Sequence, residues 1–222
     1  MKENSIDFKS TKRLFNDWLK EKGFISIYNK RIFLQDYGYY MIVVELVPLR
    51  DEGFMVDIGV KLLWSTYYDI SYDYSNGYTR VCGFINHGMV RYDSANLESE
   101  INLLKADAIG KIESYKNLEN FNTFKYSIEN RDDSTQRLNP GFEKRDVSRA
   151  IAKMFSGDPA GAMSILFEGS INNPVARRLR ENYDSIKQFH DELITIINEC
   201  RQGMSKKFKI SLAPISRIWK TE

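Results

Sequence analysis

Histidine and cysteine are scarce in this 222-residue chain, which contains two of each. Cys82 and Cys200 stand far apart in sequence and in none of the spacings that hold structural zinc. Two cysteines in a chain of this size indicate reduced, buried thiols rather than a disulfide framework. With only His87 and His190 as imidazoles, the usual acid–base and nucleophilic constellations are hard to assemble. We therefore predict no metal, no cofactor and no catalytic residue, and we favour a protein that is not an enzyme.

A charge imbalance and long apolar runs are also missing. The chain has 32 basic and 30 acidic residues, a formal charge of +2, which gives no global electrostatic reason to expect nucleic acid. No run approaches the ~20 apolar residues that a membrane-spanning helix needs. The first ten residues lack the apolar core of a signal peptide. We expect a cytoplasmic protein whose partner is another protein, with no nucleic acid and no membrane involved.

The clearest strand signal runs from Tyr39 to Trp64. From Phe54 onward, apolar residues alternate with period two, which is typical of a strand with one buried face. The preceding run, residues 40–47, is apolar except for Glu45. The stretch therefore predicts a long β-hairpin that forms the centre of a sheet.

The turn chemistry predicts the register of this hairpin. Residues 51–53 are typical of a three-residue loop with Gly53 in the left-handed conformation. In that register Glu45 lies on the mixed face, where water or Lys61 can solvate it. A slip by one residue would bury an unpaired carboxylate, which is costly. We therefore expect Glu45 to be solvated.

The remaining sheet and its helices follow from the same kinds of pattern. Short strands are predicted over 24–28, 31–35, 78–85 and 89–92. Because most of them are joined by tight turns, we expect a five- or six-stranded, mostly antiparallel sheet. An N-terminal helix over 10–22 and a long covering helix over 96–118 pack on it. These elements indicate an α+β fold.

The chain after residue 129 is predicted to be helical. Residues 130–142 are polar with a Pro-Gly pair near their end, which is typical of a loop and marks the best domain boundary. The predicted domains are 1–129 and 142–222, either separate or packed together as one. Helices are expected over 144–155, 159–168 and 174–202, and the apolar tail over 206–222 should dock on the protein.

The order of helix, Gly-Phe pair, strand and long hairpin resembles an uncharacterised family, the domain of unknown function 4304, over about residues 10–120. The matching residues are Leu14 and Leu19 before Lys22-Gly23-Phe24, Phe33 in the next strand, and the stretch Phe54–Val60, which is similar to the family's F-x-V-x-x-G-V/I pattern. The resemblance implies an α+β fold and a bacterial source. It implies no activity.

The segment from Trp64 to Tyr78 has the most unusual composition in the chain. Tyrosine rings present rigid amphipathic area that suits contacts with proteins or sugars, and two aspartates between them can accept hydroxyl hydrogen bonds. The alternative is that the rings cover the sheet and fill space. The candidate contact residues are Trp64, Tyr67, Tyr68, Asp69, Tyr72, Asp73, Tyr74 and Tyr78.

A second candidate surface is the basic cluster Arg177, Arg178 and Arg180. Three arginines near the start of a predicted helix oppose its dipole, so a compensating contact with an acidic partner is one interpretation. A solvated charged face is the other.

Three functions fit these observations. The first is a non-enzymatic interaction protein of the accessory or immunity type. The alternative is a small-ligand or carbohydrate-binding domain that uses the tyrosine-rich segment 64–78. The last is an enzyme that works through Asp57, Asp69 or Asp73 with a metal from solution.

Overall fold

The computed structural model of the chain describes residues 8–49, 52–64, 79–80, 89–129, 142–168 and 173–219. Within these ranges it contains seven α-helices and one six-stranded sheet. The helices are α1 (Phe8–Glu21), α2 (Leu97–Lys116), α3 (Phe121–Glu129), α4 (Phe142–Phe155), α5 (Pro159–Glu168), α6 (Pro174–Glu181) and α7 (Ile186–Phe208). The strands are β1 (Ile25–Ile27), β2 (Ile32–Asp36), β3 (Tyr40–Leu49), β4 (Gly53–Leu62), β5 (Thr79–Arg80) and β6 (Val90–Arg91). The predicted α+β class is confirmed, including its helical C-terminal half.

The sheet is built around the predicted hairpin. Its order is β1-β2-β3-β4-β5, and β6 also pairs with β4. The pairing is antiparallel, with Phe33 opposite Val44 between β2 and β3. β5 lies opposite Asp57 and Ile58, and β6 lies opposite the start of β4. The two short strands thus share one edge of β4.

Two compact units make up the chain. The first contains Met1–Asp36, Met41–Val60 and Tyr78–Lys116, and the second contains Tyr37–Tyr40, Lys61–Gly77 and Asn117–Glu222. The predicted boundary loop lies almost entirely outside the described residues, and the division into 1–129 and 142–222 stays a prediction.

The first unit begins with the predicted amphipathic helix. Gly23, at φ 82°, ends α1. Its N–H bonds to the Lys20 carbonyl and the N–H of Phe24 bonds to the Leu19 carbonyl, which is the Schellman pattern. This turn buries Phe24 at 3% exposure. The ring of Phe15 from α1 packs against Phe54 of β4 at 5.8 Å, so the helix covers the alternating apolar face of the hairpin.

The hairpin turn differs from the prediction. β4 begins at Gly53, a residue that the prediction placed in the connecting loop. Gly53 is therefore a strand residue and is not in the left-handed conformation, which makes that expectation wrong. Position 53 requires glycine for another reason, because a Cβ atom there would overlap the backbone carbonyl of Val90 in β6.

Glu45 lies in the interior rather than on a solvated face, which corrects its predicted environment. The residue is 3% exposed, and one carboxylate oxygen lies 2.9 Å from a guanidinium nitrogen of Arg31. Burial raises the pKa of this carboxyl, Arg31 opposes the shift, and the charge of Asp57 adds to it. The solvated position was predicted from the register that the turn implied, but every residue of β3 from Tyr40 to Leu46 is buried.

The predicted helix over 174–202 is two helices in the structure. α6 ends at Glu181, and Ser185 caps α7 by accepting a hydrogen bond from the Gln188 N–H at 3.2 Å. The predicted end at residue 202 is also wrong, because α7 continues to Phe208 with Met204 fully buried.

Candidate partner-binding groove

The C-terminal segment lies along α7 and forms a groove with it. α7 ends at Phe208, and the cap residue Lys209 has a left-handed backbone with φ 54° and ψ 44°. Segment 210–219 returns along the helix and ends in the buried ring of Trp219. The docking that the apolar composition of this tail predicted is thus observed for residues up to 219.

Side chains of α7 hold this segment through its backbone atoms. Asn198 donates to the Ile215 carbonyl at 2.9 Å and accepts from the Ile215 N–H at 2.8 Å. Nε of Arg201 donates to the Ala213 carbonyl at 2.7 Å. The hydroxyl of Ser205 accepts from the Leu212 N–H at 3.2 Å. The helix positions 198, 201 and 205 share one face, so α7 binds an extended chain in a way that does not depend on the side chains of that chain.

Arg201 also ties the segment to a second part of the same unit. The residue is 3% exposed, and Nη1 donates to the Gly38 carbonyl at 2.6 Å. Gly38 has φ 81°, and a Cβ atom there would come within 3.5 Å of the Ile215 side chain. A buried guanidinium is costly without partners, and here backbone carbonyls supply them.

Trp219 anchors the end of the segment in an aromatic cluster. Its ring centroid lies 4.6 Å from Phe155, 4.9 Å from Tyr39 and Phe121, and 5.0 Å from Phe124. Its indole N–H donates to the Tyr39 hydroxyl at 3.1 Å, and that hydroxyl donates to the carbonyl of Leu118. Burial raises the pKa of Tyr39 above its usual range, so the phenol stays protonated and can donate.

The groove itself has a volume of about 780 Å³ and opens to solvent. Its helix wall is polar and its segment wall is largely apolar. The lining residues are Thr195, Asn198, Glu199, Arg201, Gln202 and Ser205 from α7, then Lys209, Ile210, Ser211, Leu212 and Pro214. A groove with one polar wall and one apolar wall can bind an amphipathic ligand.

The basic cluster predicted from sequence lies beside this groove but is partly engaged. Nε of Arg178 donates to Glu192 at 2.7 Å, and its other guanidinium nitrogens bond to Glu199, a lining residue. These carboxylates raise the pKa of Arg178. Arg180 donates to the Leu166 carbonyl at 3.0 Å, and Arg177 is exposed. Two of the three arginines therefore connect helices of this unit by hydrogen bonds. Contact of the cluster with an acidic partner stays a prediction.

The tyrosine-rich candidate can be located only at its first residue. Trp64 is 2% exposed, stacks on Tyr39 at 5.5 Å and donates to the Ser148 hydroxyl at 3.0 Å. Packing is the interpretation that fits Trp64. The other seven candidates, Tyr67, Tyr68, Asp69, Tyr72, Asp73, Tyr74 and Tyr78, lie outside the described residues, so a ligand site there stays a prediction.

The described residues contain no cluster of three or more histidine, cysteine or acidic side chains that could hold a metal. His87 lies outside those residues. His190 stacks on Phe155 at 4.1 Å, and burial lowers the pKa of its imidazole. The thiol of Cys200 is buried. His190 and Cys200 thus lie on the packed side of α7.

Membrane-crossing helices are not found in the described part of the chain, where every helix is too short or too polar. No protein-family model matches the chain, and searches of curated proteins and of solved structures likewise found no significant match. The resemblance to the domain of unknown function 4304 stays an expectation.

Proposed function

We propose that this chain is a cytoplasmic, non-enzymatic protein that binds another protein, of the accessory or immunity type, through the groove beside α7. The bound element would be an extended peptide segment of the partner. The observation that carries the proposal is the open groove of about 780 Å³, in which a polar wall from α7 faces a largely apolar wall from segment 210–219.

The two walls of the groove support a peptide as the ligand. Side chains of an extended peptide alternate between two sides. Those on one side would pack against Ile210, Leu212 and Pro214, and those on the other would meet polar groups such as Gln202. Recognition of extended segments commonly combines backbone hydrogen bonds for affinity with side-chain pockets for specificity.

The charges at the groove support a neutral or mildly acidic peptide. The charge of Glu199 is paired with Arg178, and the guanidinium of Arg201 is hydrogen-bonded to backbone carbonyls within the chain. Lys209 is exposed at the end of the groove. An exposed ammonium there favours an acidic residue at one end of the bound segment.

Site-specific photo-crosslinking tests this proposal. A photoreactive residue at Gln202 lies in the groove and is exposed, whereas one at Lys187 is exposed on the same helix away from the lining residues. In cells of the source, we expect one defined adduct from position 202 and none from position 187. The crosslinked partner peptide should be extended and should map to one segment of one protein.

A groove-filling variant supplies the matched test of affinity. Thr195→Trp places a large ring in the groove at an exposed position and should weaken binding of the crosslinked segment at least tenfold, whereas Lys187→Trp should leave it unchanged. Equal labelling from positions 202 and 187, or binding that Thr195→Trp does not weaken, would contradict the proposal.

A further inference from the structure

The turn that sends the C-terminal segment back along α7 is strained. Lys209 adopts φ 54° and ψ 44°, a conformation that favours glycine, and its N–H bonds to the Ser205 carbonyl. For a residue with a Cβ atom the left-handed region is unfavourable by a factor of about five or more in an equilibrium constant. A helix that continued through Lys209 would relieve this strain and carry the segment away from its own α7.

The Ile210 N–H bonds to the Ser205 carbonyl at 3.2 Å as part of this turn, and the contacts that hold the rest of the segment lie farther along it. Backbone atoms of Leu212, Ala213 and Ile215 bond to side chains of α7, and Trp219 inserts into the aromatic cluster. None of these interactions requires that the segment and the helix belong to the same copy of the chain. A second copy therefore offers an occupant with identical chemistry.

We propose that segment 210–219 exchanges between two copies of this chain, with Lys209 as the hinge. In the exchanged dimer each α7 holds the segment of the other copy by the same hydrogen bonds, and each groove receives its apolar wall from its partner. Exchange of a terminal element through a strained hinge is a low-cost route to a symmetric dimer because it changes few contacts other than the hinge. The proposal is independent of what the groove binds.

Two substitutions at the hinge shift the equilibrium in opposite directions. Lys209→Gly removes the strain from the closed turn, and because the dimer has two hinges we expect it to dimerise at least about 25-fold more weakly than the unaltered chain. Lys209→Val increases the strain because β-branched residues tolerate this conformation least, so it should dimerise more tightly. Light scattering after size-exclusion chromatography over a range of concentrations measures both changes.

A crosslinking experiment identifies the exchanged segment. A photoreactive residue at Ser211, which is exposed and lines the groove, is introduced into isotopically light and heavy chains that are mixed, unfolded and refolded together. In the dimer fraction about half of the crosslinks between position 211 and α7 should join light to heavy chains, whereas the monomer fraction should contain only unmixed ones. A dimer with unmixed crosslinks alone would overturn the proposal.

The hinge variants provide a second test of the exchange. A folded Lys209→Val chain that stays monomeric at millimolar concentration would also overturn the proposal. Should that variant fail to fold, as judged by circular dichroism, the comparison of the unaltered chain with Lys209→Gly decides, and equal dimerisation of these two would refute the role of the hinge. Because dimerisation is measured without a partner protein, its failure is distinct from a failure of peptide binding.

Discussion

The buried ion pair between Arg31 and Glu45 should respond asymmetrically to removal of its two members. The Glu45 side chain is 4% exposed, whereas that of Arg31 is 45% exposed. Arg31→Gln leaves a buried carboxylate near Asp57 without its cation, and loss of one partner of a buried pair costs about 3–5 kcal/mol. Because Arg31 is partly solvated, we expect about 2–3 kcal/mol here. Glu45→Gln leaves an arginine that water can solvate, so its effect should stay within about 1 kcal/mol of zero.

The stability of the Arg31→Gln variant should also depend on pH, in a direction that follows from the pKa of Glu45. Burial raises the pKa of Glu45 above its ordinary value, and loss of Arg31 removes the main opposing interaction. A carboxyl with a raised pKa in the folded state favours folding when protonated, and that contribution is lost as the pH rises through the folded-state pKa. The loss of unfolding free energy caused by Arg31→Gln should therefore be largest at neutral pH and should shrink as the pH falls toward the ordinary pKa of glutamate.

Urea unfolding of both variants and the unaltered chain at pH 7 and pH 5 measures these differences. Equal destabilisation by the two substitutions would mean that the pair acts as a surface ion pair. If Arg31→Gln lowered the unfolding free energy by the same amount at both pH values, the ionisation of Glu45 would not be the cause of the destabilisation. Either result would refute the reasoning.

Three further substitutions test the described contacts. Trp219→Ala empties the aromatic cluster and should destabilise the chain by about 3–5 kcal/mol in urea unfolding, with early proteolysis of the tail, whereas Trp219→Phe should cost clearly less. Gly53→Ala should lower the melting temperature because its Cβ meets the Val90 carbonyl, while Gly110→Ala, where a Cβ finds open space in α2, should not. The lowered pKa of His190 means that the unfolded chain binds its proton more tightly, so stability should fall as the pH drops below about 6.5, and His190→Gln should remove that part of the slope.

Local signals predicted the parts of the fold that local chemistry determines. Gly23 ends α1, directly after the predicted range 10–22, and α5 begins at Pro159 as its predicted range 159–168 requires, with Asp158 accepting from the Gly161 N–H at 2.9 Å. The boundary between α6 and α7 had a comparable signal in Ser185, a good N-cap residue, but the apolar pattern ran through it and was read as one helix. Here a cap residue was more informative than periodicity.

The groove could not be predicted because its chemistry depends on contacts that are distant in sequence. Arg201 interrupts the apolar stripe of α7, which sequence reasoning takes for a surface charge. Its partner Gly38 lies 163 residues away, and a backbone carbonyl leaves no mark in the sequence. The apolar tail correctly indicated docking, but neither its partner helix nor the polar residues that hold it follow from composition.

Segment 210–219 links the two proposals for α7, because it is both a wall of the groove and the element that exchanges. Asn198 fixes the segment at Ile215 through both of its backbone groups, and Trp219 fixes the register beyond it. The geometry of the groove wall is therefore the same whether the segment comes from its own chain or from a second copy. Peptide affinity per groove should then be equal in the separated monomer and dimer, and only the number of grooves per particle should change. Calorimetric titration of the two fractions with the crosslinked peptide measures both quantities, and unequal affinities would show that exchange alters the wall.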